Sequence, residues 1–325
     1  MRIALIFPGQ GSQVVGMGRE VYAASAAARG VFEQADATLG FALTQLCFEG
    51  PELELTATEN AQPALLTVSV ALLAALAANG TFSPQPSALS PQPSALSSQP
   101  SALSPQAVAF VAGHSLGEYA ALVAAGALDF PTALRLVRRR GELMAEADQG
   151  AMAAIIGLDE GPLEDVCQVA SQAHGPVVIA NYNAPGQLVI SGTVAGVAAA
   201  CAEAKQRGAK RALPLKVSAA FHSPLMQAAA DRLAPLIAAA ELRDALVPLV
   251  GNVSAQPISA ADDLRRELVA QITAPVRWIA SVQAMLDAGV TSFVEVGAGS
   301  VLTGLVKRIA PSAILTNIST GGEHL

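Results

Sequence analysis

Ser115 lies in Gly113-His114-Ser115-Leu116-Gly117, between the apolar run Val108–Ala112 and an alanine-rich stretch. Ordinary strand-to-helix turns share the bare pattern. Strand-type residues before it and helix-type residues after it are the setting of a nucleophile elbow, where a sharp turn lifts the serine hydroxyl out of the sheet edge. The helix behind such a turn starts with unpaired backbone N–H groups, which can bind a developing oxyanion. Side chains two residues either side of the serine would collide, so both positions require glycine, and here they are Gly113 and Gly117. Ser115 is therefore the candidate nucleophile.

A serine hydroxyl attacks only when a base takes its proton. The chain has four histidines. His324 is next to the C-terminus, His174 lies in a polar loop, and His114 should point away from its neighbour on a tight turn. His222 is left, at a strand-to-helix junction, as base or as an ordinary core histidine. A base needs a partner on its second ring nitrogen. Asp129, Asp148, Asp159 and Asp165 fall between serine and histidine, none at a clear strand end, so an acid or a backbone carbonyl could do this.

The elements that must carry these groups read as an α/β protein. Arg2–Phe7 is a strand, followed by the loop Pro8–Gln13. Gly9 and Gly11 lack the third glycine of a dinucleotide site, because position 14 is Val14. The loop could instead bring a second oxyanion donor, or be a plain turn. Helices are expected over Val21–Leu39, Gln62–Ala78 and Pro131–Ala147, the last capped by Asp129 and carrying Arg135, Arg138, Arg139 and Arg140. From 151 to 215 the pattern is β-α-β-β-α-β, the order of a ferredoxin-like unit. Beyond it come a strand over Pro248–Val253, helices over Leu264–Ile272 and Val276–Ala288, a strand Ser292–Val296, a helix Val301–Ile309 and a strand Leu315–Ile318. The fold expected is an α/β-hydrolase-like large subdomain with a parallel sheet, residues 1–148 and 214–325, interrupted by a ferredoxin-like small subdomain, residues 149–213. Ser83–Gln106 repeats Ser-Pro-Gln-Pro-Ser-Ala-Leu and reads as a duplicated, extended surface loop whose deletion should leave activity nearly unchanged.

Composition sets limits on function. Of 325 residues 52% are hydrophobic and 14% charged, which suits a compact enzyme and not a disordered binder. Aromatics are 4%, so the core must be Ala, Leu and Val. A net charge of −7 argues against nucleic acid as the main partner. The apolar run Ala64–Ala78 is shorter than the roughly 20 residues of a membrane span and reads as a buried helix. Cys47, Cys167 and Cys201 are scattered and read as buried thiols of a reducing cytoplasm.

Jointly, several signatures resemble the malonyl-CoA:acyl-carrier-protein transacylases of bacterial fatty acid synthesis, and the acyltransferase domains of polyketide synthases. They are Phe7–Gln13, Gly113–Tyr119, Arg138–Gly141, Asn181–Gln187, Ser218–His222 and Glu295–Gly299. The resemblance covers nearly the whole chain apart from the proline repeat. It implies a Ser115–His222 dyad oriented by the backbone carbonyl of Gln271, with backbone N–H groups of Gln10 and Leu116 as the oxyanion hole. It implies Arg140 paired with the free carboxylate of malonyl, Asn252 in the same pocket, no metal or redox cofactor, and malonyl-CoA and acyl carrier protein as partners; nothing in the sequence suggests more than a monomer. Physically, a buried carboxylate needs a fixed cation, and guanidinium matches it bidentately. Arg138 and Arg139 read as surface residues. Phe221 accompanies malonyl selectivity in the related polyketide domains, and its ring would exclude an α-methyl branch. Ala298 replaces a common proline, with little effect expected. An acidic carrier protein would dock on a basic face, for which Lys205, Arg207, Lys210, Arg211, Lys307 and Arg308 are candidates. A serine esterase or thioesterase would share the dyad but have no reason for Arg140.

Overall fold

The computed structural model describes residues 2–80, 108–147, 149–217 and 219–319. The repeat 83–106, Asp148 and Ser218 lie outside them. The strands are β1 (Ile3–Phe7), β2 (Val108–Gly113), β3 (Ala151–Ile156), β4 (Val177–Ala184), β5 (Gln187–Gly192), β6 (Arg211–Pro214), β7 (Leu249–Val250), β8 (Pro257–Ile258), β9 (Ser292–Val296) and β10 (Ile314–Ile318). Six form a sheet in the order β10-β9-β1-β2-β7-β8, parallel throughout except at the β7–β8 edge.

The residues of β1 are all buried, as a central parallel strand covered on both faces requires. Ile3, Leu5 and Phe7 face a core built with the helix Thr58–Ala78, while Ala4 and Ile6 face Trp278, Val282 and Leu302. Among the described residues only Thr58–Ala78 is long and apolar enough to cross a membrane, and it is buried from Ala61 to Leu76. It begins four residues before the expected start at Gln62, so Pro63 is interior. Proline cannot donate to the carbonyl four residues back. That carbonyl, on Glu59, accepts from Arg138 Nη1 at 3.0 Å instead. The helix expected over 21–39 is two helices, Arg19–Ala24 and Ala26–Leu39. Ser25 breaks it by taking extended backbone and accepting the Ala28 N–H on its hydroxyl, the N-cap preference of serine. Helices Leu43–Glu49 and Glu52–Thr56 have no counterpart in the sequence expectations.

The second sheet is antiparallel, in the order β4-β5-β3-β6, with helices Glu160–His174 and Val194–Gln206 on one face. It is tied to the first unit where Val276 N–H donates to Ala180 O at 2.8 Å and Tyr182 N–H to Val276 O at 2.9 Å. Cys47 and Cys167 are buried and Cys201 is half-buried, not buried as expected. Burial pushes the Cys47 and Cys167 thiols up to about 12.

Candidate active site

β1 and β2 are adjacent and parallel, so the loops after Phe7 and Gly113 leave the same sheet edge side by side. Ligands of open parallel sheets bind at these carboxyl ends. The turn after β2 is as tight as the glycine pattern requires. A Cβ on Gly113 would lie 1.9 Å from the Gly117 carbonyl carbon, and one on Gly117 would lie 2.2 Å from Phe7 O. Ser115 sits in the left-handed region with φ of 53°, a strained conformation for serine that the packing around it must hold.

His222 Nε2 is 2.8 Å from Ser115 Oγ. His222 also has a positive φ, 57°, and it is 3% exposed. Its Nδ1 is 2.8 Å from Gln271 O and 3.1 Å from Ala274 O. The helix Ala261–Ala270 ends at Gln271, whose carbonyl, past the last turn, has no helical donor to receive. No Asp among the described residues meets the ring. Two backbone acceptors on Nδ1 place the ring proton there and leave Nε2 to accept from Ser115. Burial, Arg140 and His114 together push His222 down to about 3, against the two carbonyls, so the imidazole is neutral near pH 7.

His114 points away from Ser115, as expected. Its Nε2 is 2.8 Å from Asn183 Oδ1 on β4, and its ring lies against Trp278.

Arg140 is 1% exposed. Its Nη2 donates to Ser115 Oγ at 3.1 Å and to Gln271 Oε1 at 2.9 Å, and Nη1 donates to Gln62 Oε1 at 2.8 Å. Asp129 caps its helix through Thr132 N–H at 2.9 Å, as expected. Arg138 and Arg139 are half-buried or exposed and pair with Glu142.

The backbone N–H groups of Leu116 and Gln10 have no protein acceptor among the described residues, and both residues line a 360 Å³ cavity. Gln10 is anchored by its side chain, which donates to Thr58 Oγ1 at 3.2 Å. Ser115, Arg140, Phe221 and His222 line the same cavity, and the second sheet adds Met152 and Asn181.

Asn252 is a correction. It was expected among the substrate contacts, but it is 1% exposed and lies behind the elbow. Its Oδ1 accepts the Ser115 N–H at 2.7 Å, and its Nδ2 donates to Gly113 O at 2.6 Å and Glu118 Oε1 at 2.7 Å. The strand expected over 248–253 stops at Val250 for this reason, since the next residues turn beneath Ser115. Two residues of the site, Gln62 and Glu118, and a second role of Gln271 go beyond the sequence expectations. Gln62 is the one amide in the buried stretch Ala61–Leu76 of its helix, Glu118 a lone charge in the elbow helix, and the Gln271 side chain holds Arg140 as well as its carbonyl holding His222. Glu118 and Gln62 could have been flagged as polar residues where the pattern is apolar.

Comparison with known proteins matches the acyl transferase domain over residues 4–89 and 98–318. The chain belongs to the acyl transferase family. The match skips one copy of the proline repeat. The chain is 46% identical over 311 residues to the malonyl CoA-acyl carrier protein transacylase of Bacillus subtilis, covering 95% of this chain and 90% of that one. It is 44% identical over 312 residues to the protein of that name from Escherichia coli K12, covering 95% and 93%. Among solved structures of the family, the acyl-carrier-protein-S-malonyltransferase of Bartonella henselae superposes with a TM-score of 0.90 at 41% identity, over 100% of this chain and 97% of that one. A malonyl-transacylase solved in complex with a type II polyketide acyl-carrier protein gives 0.89 at 38% identity, over 100% and 98%. This acyl transferase is a mixed α/β protein with a parallel-rich sheet, like those structures.

Proposed function

We propose that this acyl transferase moves malonyl from malonyl-CoA to the phosphopantetheine thiol of acyl carrier protein, supplying fatty acid synthesis through a malonyl-serine intermediate. The observation that carries the reading is Arg140, a buried guanidinium whose Nη2 reaches Ser115 Oγ at 3.1 Å. A cation there serves an acyl group that itself ends in a carboxylate, and the esterase reading leaves it without a purpose.

His222 Nε2 takes the Ser115 proton as Oγ bonds to the thioester carbon, and the oxygen gains charge between the N–H groups of Gln10 and Leu116. The C–S bond then breaks, and the CoA sulfur leaves with the proton from His222. Malonyl-Ser115 keeps its carboxylate on Arg140 until the carrier thiol repeats the steps, with His222 again the base. Arg140 opposes an imidazolium at His222, and a substrate carboxylate paired to Arg140 reduces that opposition. Phe221, 8% exposed at the cavity wall, supports preference for the unbranched acyl group. These steps call for no metal or redox cofactor.

The sheet order around β1 and the elbow supports an α/β-hydrolase-like large subdomain, residues 1–148 and 214–325. The order β4-β5-β3-β6 supports a ferredoxin-like insertion, residues 149–213. For the carrier protein, Lys210 and Arg211 lead along the chain to Leu215 and Lys216 at the cavity, and we place docking there. Arg207 is paired with Glu203, and Arg308 donates to Pro185 O at 2.8 Å, so they, with Lys205 and Lys307, which do not line the cavity, are secondary candidates. The active form is read as a cytoplasmic monomer.

The test is intact mass after mixing with malonyl-CoA, acetyl-CoA or methylmalonyl-CoA. One malonyl adduct, absent in Ser115→Ala and passed on by added holo carrier protein, is expected. No adduct would sink the reading, and an adduct lost to water with no transfer would favour the thioesterase.

A further inference from the structure

Glu118 is fully buried in the first turn of the elbow helix, and nothing in the mechanism above uses it. Its Oε1 accepts from Asn252 N–H at 2.5 Å and Asn252 Nδ2 at 2.7 Å, and its Oε2 accepts from Gln271 Nε2. Backbone groups fix both amide orientations. Asn252 Oδ1 takes the Ser115 N–H at 2.7 Å, and Gln271 Nε2 also donates to Ser115 O at 2.9 Å. All three partners of Glu118 are donors, which suits a carboxylate. Burial first, and then the nearby Glu267, raise its carboxyl well above the usual carboxylate range, against these donors and Arg140. The three donors leave no acceptor for a carboxyl proton among its partners, and they are what hold the charged form. Gln271 Oε1 accepts from Arg140 Nη2 at 2.9 Å, so one side-chain amide links the Glu118 carboxylate to the Arg140 guanidinium. The same residue's carbonyl holds His222 at 2.8 Å.

We propose that Glu118 is a positioning residue and the resident counter-ion of Arg140. Through Asn252 it sets the Ser115 backbone. Through Gln271 it sets His222 and Arg140. In the empty site it balances the buried guanidinium across the Gln271 amide, and an incoming carboxylate competes with it for that charge. Loss of the Glu118 charge therefore has two opposed effects. Arg140 holds malonyl more tightly, and the nucleophile and base are held less well.

The inference rests on reading Arg140 as the carboxylate-binding group. Rapid-quench loading of the full-length Glu118→Gln enzyme, with malonyl-CoA and acetyl-CoA, tests it. Saturated malonyl loading should slow about tenfold or more. KM for malonyl-CoA should fall about threefold to tenfold, with KM for acetyl-CoA unchanged. A merely structural role would move both KM values in the same direction. Glu118→Asp keeps the charge but shortens the reach, so slower loading at unchanged malonyl KM is expected, and this variant decides the matter if the glutamine variant does not fold. Unchanged kcat in both variants, or a malonyl KM that rises with that of acetyl, would overturn the proposal. Arg140→Ala separates the two readings, since undiminished malonyl loading in that variant sinks the functional assignment itself.

Discussion

At the scale of single residues, the proposed site combines a buried guanidinium with an imidazole kept uncharged. Removing a charge-assisted contact to a buried carboxylate costs about 2–3 kcal/mol. Arg140→Ala should therefore lower malonyl loading about 100-fold and leave acetyl loading little changed, as adduct formation from the two donors would show. His222→Ala should slow loading about 1,000-fold, within the usual range for a general base. The ring is held down to about 3 by burial and by Arg140, so it stays neutral as pH falls through the ordinary imidazole range. The kcat/KM for loading should show no His222 break near pH 6.5, about where a free imidazole titrates. A break there in wild type that Arg140→Ala shifts upward would show the opposite, a base that titrates normally in the resting enzyme.

At the scale of elements, the arginine clamp depends on how closely two helices approach. Gly141 follows Arg140, and a Cβ on it would lie 2.7 Å from Glu59 Cα and 2.8 Å from Thr58 O. Gly141→Ala must push the helix Phe130–Glu146 away from Thr58–Ala78 and draw Gln62 off Arg140. A loss of about 1–3 kcal/mol in denaturant unfolding is expected, with malonyl loading weakened more than acetyl loading. Asp129→Ala, at the far end of the same helix, should cost about 1 kcal/mol and leave selectivity intact. What the sequence made legible follows from these elements. Ser115, Arg140 and His222 stand in local patterns with their own chemistry, and the elbow, the β-α-β-β-α-β run and β9 are periodic segments. Asn252 lies behind the nucleophile and not in the pocket the family resemblance implies for it, because β7 ends after two residues and the chain turns beneath Ser115. Gln62 and Glu118 were overlooked because their partners lie 78 and 134 residues away. Only the packed fold brings an amide in an apolar helix to the arginine it serves.

At the scale of the molecule, two rings resist protonation, His222 buried and His114 half-buried. Burial lowers the proton affinity of His114 and, with Arg140, that of His222. Unfolding releases both to ordinary values near 6.5. The unfolded chain then binds more protons below that pH, so folding stability is complete above it and is lost as pH falls towards the folded values. His222 contributes a slope of at most about 1.4 kcal/mol per pH unit within that window, and His114 adds a slope of the same sign. Urea unfolding at pH 7, 6 and 5 should show this fall, and His114→Asn should make it shallower. Equal slopes in the two proteins would mean that His114 is free to protonate in the fold. The two-sheet architecture makes the effect possible, because His114 on the elbow of one sheet is covered by Asn183 of the other.

The contact between Arg140 Nη2 and Ser115 Oγ has a consequence for chemical labelling. In the empty site the serine oxygen already receives a hydrogen bond from a cation, which draws electron density away from the atom that must attack. A neutral phosphonylating reagent has nothing to offer that cation and meets a subdued nucleophile. A reagent carrying a carboxylate beyond its electrophilic carbon engages the guanidinium and leaves the serine oxygen freer to react. Activity-based probes built on acidic acyl groups should therefore mark this enzyme in mixtures where neutral serine probes pass it by.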